Sequence, residues 1–110
     1  MTRITIYKNS SKNGDIVGFK SEGHSGYARS GKDIVCAATS ALVINTINSI
    51  EKFTEANCTT TVDDKNAIIS MMVESNESKE SLVLLQSLEL GLSEIARDNP
   101  KYISITFEEV

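Results

Sequence analysis

From Ile34 the chain places Val35, Ala38, Leu42, Val43, Ile47, Ile50 and Phe53 at spacings of three and four, over about five helical turns. Such a stripe predicts one long helix whose broad apolar face must be covered by another layer of the fold. The alanines of its first turns leave room for a close approach of backbone or partner. Strand patterns supply the second layer. Thr2-Arg3-Ile4-Thr5-Ile6-Tyr7 alternates with a period of two and is rich in β-branched residues, which reads as a strand. Asp15 to Ser21 gives a second strand, and the polar cluster from Asn9 to Gly14 joins the two in a hairpin with a loop longer than two residues.

Beyond the helix, Cys58 to Val62 is threonine-rich and reads as a strand, followed by the polar turn Asp63-Asp64-Lys65-Asn66. Ala67 to Glu74 is apolar on both faces, as in a central strand. Ser75 to Ser78 offers caps for a second helix, whose stripe is Leu85, Leu88, Leu92 and Ile95. Gly91 costs that helix roughly 1 kcal/mol. Pro100, the only proline, stops it, and Tyr102 to Phe107 alternates again with Ile103, Ile105 and Phe107 on one face. The expected order is β-β-α-β-β-α-β, an α+β domain spanning residues 1–110, with two helices packed on a mixed sheet.

Composition narrows the function classes. The longest apolar runs are interrupted by Ser, Thr and Asn, so no membrane span is expected, and no secretory signal is read at the start. Two cysteines without such a signal point to reduced thiols in a cytoplasmic setting. A net charge of −4 argues against binding a nucleic-acid backbone and suits a basic protein partner.

The chemistry gathers in Glu22 to Ala38. This segment holds the only histidine, one cysteine and three of the six glycines. Asp33 is a good N-cap, which makes Cys36 the third helical residue. N–H groups at a helix start lack intrahelical partners and carry the positive end of the dipole. A cysteine there is favoured as thiolate, the form that attacks a carbonyl, and nearby N–H groups can hold an oxyanion. His24 lies upstream on the glycine loop and is the candidate proton shuttle. Asp33 has two competing uses, capping the helix or orienting His24.

Plainer readings exist for the same residues. A cytosolic cysteine is most often a small buried hydrophobe, and a lone histidine is most often structural. Cys58, with no helix start or base nearby, is read as structural. Gly26 to Lys32 matches the first seven positions of a phosphate-binding loop, but Asp33 stands where Ser or Thr must ligate magnesium. His24, Asp33, Cys36 and Cys58 lack the paired spacings of a zinc site, so neither metal nor cofactor is expected.

Gly23-His24, then Gly31-Lys32-Asp33-Ile34-Val35-Cys36-Ala37-Ala38 and Ser40, resembles the ribosomal-processing cysteine proteases, the Prp family. The likeness runs along the chain and includes Asn99-Pro100-Lys101-Tyr102-Ile103, while Ser25 stands where the family more often has Ala. The resemblance implies a cytoplasmic homodimer of α+β fold. It implies removal of the N-terminal extension of large-subunit ribosomal protein twenty-seven, cut after an aromatic pair. It also implies Cys36 as nucleophile, His24 as base, Asp33 and Ser40 in support, and Gly23 in a mobile loop. Tyr27 and Phe19 are candidates for the aromatic pocket. The competing class is a non-enzymatic ribosome-associated or assembly factor that uses the loop for binding.

Overall fold

A computed structural model describes residues 1–24, 26, 28, 29 and 33–110. The strands are β1 (Thr2–Asn9), β2 (Asp15–Glu22), β3 (Asn57–Asp63), β4 (Ile68–Ser75) and β5 (Ile103–Glu109). The helices are α1 (Ile34–Phe53) and α2 (Lys79–Asp98), and a 3-10 turn at Ser10–Lys12 bridges the first hairpin. In that bridge Asn9 caps through its side chain, accepting Ser11 N–H, and Gly14 N–H returns to the Asn9 carbonyl.

One sheet runs in the order β3-β4-β2-β1-β5. Every neighbouring pair is antiparallel except β1 with β5, which makes the sheet mixed as expected. Register aligns the apolar positions on one face. Ile6 opposes Phe19 and Phe19 opposes Met71, while Ile4 opposes Ser21 and Ile105. Ile4, Ile6, Phe19, Met71 and Ile103 are buried with Val35, Val43, Ile47 and Ile50 of α1 and Leu85, Leu88 and Leu92 of α2. Full burial of each large side chain stabilises by about 1.5–3 kcal/mol relative to exposure.

α2 begins at Ser78, whose hydroxyl accepts Ser81 N–H while Ser81 Oγ accepts Ser78 N–H, a reciprocal cap that satisfies two backbone donors. Gly91 sits where the helices meet, and a Cβ there would lie 2.8 Å from Leu42 Cδ1. Its propensity cost therefore allows the close approach of α1.

Four expectations change. Ala38 and Phe53 (73 % exposed) leave the buried face of α1, and Thr39 and Thr46 take buried positions. Thr46 offsets its burial by donating to the Leu42 carbonyl at 2.8 Å. Phe107 is 55 % exposed on β5, an edge strand of the sheet, although its register partner Ile6 is buried. Phe19 is fully buried in the core and is no part of an aromatic-recognition surface. Finally, α1 is long and apolar enough to cross a bilayer, with a mean hydropathy of 1.4, contrary to the expectation from interrupted runs. Its threonines, serines and asparagines are tolerated by that measure, and the helix's buried face belongs to the core just described.

Candidate active site

Asp33 has extended backbone (φ −84°, ψ 99°), and its Oδ1 accepts the Cys36 N–H at 2.9 Å. The cap expected from sequence is therefore made. Ala37 N–H donates to the Asp33 carbonyl at 3.0 Å, which closes the first helical turn. Cys36 N–H is engaged by the cap, so Ile34 and Val35 supply the first-turn N–H groups with no helical acceptor. Cys36 is half-buried and Ser40, one turn later, is exposed.

His24 leaves the sheet from a firmly held base. Gly23 N–H donates to the Ala67 carbonyl at 2.9 Å, and Thr2 Oγ1 donates to the Gly23 carbonyl at 3.4 Å. Gly23 has φ +88°, and a Cβ there would lie 2.8 Å from the Met1 carbonyl oxygen. Only glycine fits this exit without strain. Ala67 itself holds a left-handed φ of 52°, which turns its carbonyl toward Gly23.

These elements bring His24, Cys36 and Ser40 onto two adjoining cavities. The larger, about 560 Å³, adds Gly26, Ala28, Asp33 and Ala37. The smaller, about 210 Å³, lies toward the sheet and adds Thr2, Ser21, Gly23, Thr39, and Asp63, Asp64, Ala67, Ile68 and Ile69 around the β3–β4 turn. All five site residues named from sequence thus border this region. Tyr27, and Gly31 and Lys32 of the phosphate-loop decoy, lie outside the described residues.

Sequence reasoning missed the smaller cavity's wall. Thr39 Oγ1 is buried with no hydrogen-bond partner among the described residues, a costly state for a hydroxyl. The signal was a threonine in the apolar stripe one turn from Cys36. Asp63 accepts both the side-chain and backbone N–H of Asn66, which hold its carboxyl below the usual range. Cys58 borders neither cavity. Burial pushes its thiol up, with Glu51 and Glu74 adding to the effect.

A family model for cysteine protease Prp matches residues 1–104. The chain belongs to the Prp family of cysteine proteases. The Prp fold also emerges from solved structures. An essential ribosomal processing protease Prp from S. aureus, in complex with a covalently linked product peptide, has a TM-score of 0.91 at 23 % identity, covering 98 % of this chain and 100 % of that one. The same S. aureus protease with a substrate peptide has a TM-score of 0.86 at 22 % identity, with the same coverage. A Streptococcus mutans protein has a TM-score of 0.84 at 20 % identity, covering 100 % of this chain and 99 % of that one. No curated protein sequence matches the chain.

Proposed function

We propose that Cys36 is the nucleophile and His24 the general acid–base of an endopeptidase that removes the N-terminal extension of large-subunit ribosomal protein twenty-seven. The observation that carries this reading is that both side chains wall the same two open cavities at the capped start of α1. Cys36 Sγ attacks the peptide carbonyl and forms a tetrahedral oxyanion. The Ile34 and Val35 N–H groups are the donors available to it, since the Cys36 N–H is held by Asp33. The C–N bond then breaks, His24 gives its proton to the departing amine, and a thioester remains on Cys36. Water, deprotonated by His24, hydrolyses that thioester and restores the thiol. Asp33 fixes the backbone of Cys36, and Ser40 lies one turn along the helix, within reach of groups around the sulfur.

The same reading places the enzyme in the cytoplasm as a homodimer, with a basic ribosomal protein and no direct nucleic-acid contact. The net charge of −4 supports attraction of such a substrate. Exposed Phe53 and Val83 border an apolar cavity of about 410 Å³ on the helices, which supports contact between two copies. Wild type and Cys36→Ala are incubated with the extended ribosomal protein and the products weighed. Loss of a short N-terminal peptide with wild type alone is the expected result. An intact substrate in both, or cleavage by both, rejects it.

A further inference from the structure

The smaller cavity has a chemistry of its own. Its buried wall holds Thr39, 3 % exposed, whose hydroxyl oxygen has no partner among the described residues. Toward solvent stand two carboxylates of the β3–β4 turn, half-buried Asp63 and exposed Asp64. Ile68 and Ile69 give the cavity an apolar strip. Among the described residues lining it there is no lysine or arginine. Asp63 is held ionised by Asn66, so the cavity combines negative charge, an orphaned oxygen and an apolar strip.

We infer that this cavity is a specificity pocket for a lysine side chain of the substrate, a reading that rests on the proposed peptidase site. A cavity of about 150 Å³ admits a benzene ring, so about 210 Å³ has room for one long side chain. The methylenes of lysine lie along Ile68 and Ile69, the ammonium donates to Thr39 Oγ1, and the negative charge of Asp63 and Asp64 favours the cation in the cavity. A bare aromatic ring fills the same space but leaves the Thr39 oxygen unpartnered and drives two carboxylates against an apolar edge. The substrate's aromatic pair then falls to the larger cavity. There Gly26, Ala28 and Ala37 present small side chains.

The test uses ten-residue peptides spanning the cleavage site of the extended ribosomal protein, with Lys or norleucine at each position in turn. Binding is read by fluorescence anisotropy on the Cys36→Ala protein, so cleavage does not intervene. At one position Lys binds about 10-fold tighter than norleucine, and adding Thr39→Val and Asp64→Asn cuts the preference below about 2-fold. Equal binding of both peptides at every position, no binding at all, or a preference that survives both substitutions overturns the pocket. If Thr39→Val does not fold, Asp64→Asn in the exposed turn carries the test alone, with an expected loss of about 3-fold in preference; an unchanged preference there overturns it. Cleavage by wild type is scored separately. Intact peptides with a lysine preference reject the peptidase reading, and cleavage without one rejects the pocket.

Discussion

Asp33 Oδ1 holds the backbone N–H of Cys36 at 2.9 Å, so one carboxylate both starts α1 and fixes the main chain beneath the candidate nucleophile. Helix nucleation and site geometry thus depend on the same bond.

Removing that bond should therefore show in both stability and activity. Asp33→Ala is expected to cost about 1 kcal/mol through loss of the cap, lowering the melting temperature by about 4 °C. Asp33→Asn keeps an oxygen acceptor of the same length and should recover most of the stability. If Asn also restores cleavage, capping is the residue's role. If the fold recovers while cleavage stays low, the negative charge acts on the chemistry as well. Thermal melts and peptide hydrolysis on the same preparations separate the two.

The two cysteines should differ sharply toward an alkylating probe. In Cys36→Ser only Cys58 remains, and its burial, with Glu51 and Glu74 nearby, holds the thiol protonated. Its labelling should be slow near neutrality and rise only above the ordinary thiol pKa of about 8.5. Cys58→Ser should label about tenfold faster at pH ~7, through Cys36 at the helix start. Mass spectrometry of timed samples reads both rates. The same displacement has a linkage consequence. The folded protein keeps the Cys58 proton to higher pH than the unfolded chain, so stability falls as pH rises past about 8.5. Cys58→Ser should remove that part of the alkaline decline in urea midpoints.

Gly18→Ala should be the most damaging single-methyl change in the sheet. A Cβ at this point of β2 would lie 2.5 Å from the Met71 carbonyl oxygen and closer still to the Met72 sulfur. The sulfur can swing away, but the carbonyl belongs to the β2–β4 ladder and cannot. A loss of about 1–3 kcal/mol is expected by urea denaturation. Adding Met72→Ala should recover only a minor part, and full recovery would mean that the backbone yields.

The parts of the fold that depend on neighbours in sequence were readable from the residues. The Asp33 cap needs only the following three residues, and the stripe on α2 needs only its own period. What escaped was set by register between distant segments. Thr2, Ser21, Asp63 and Ile69 meet because β1, β2, β4 and β3 align at one end of the sheet. No local pattern marks that meeting. Phe53 and Phe107 fit their stripes, yet both are exposed, one at the end of α1 and one on an edge strand, positions that periodicity does not report. Thr39 was hidden by type, since a threonine in an apolar run is easily taken as a tolerated interruption.

The parallel pairing of β5 with β1 fixes the order in which the molecule is completed. Thr2, a wall of the smaller cavity, donates its N–H to the Tyr102 carbonyl at 2.9 Å, at the head of the last strand. During synthesis β1 can pair with β2 early, but its other edge stays open until β5 leaves the ribosome. A growing chain therefore holds Cys36 and His24 well before it has the last support for the pocket beside them. The site is finished from its far end, by a strand that contributes no side chain to its lining.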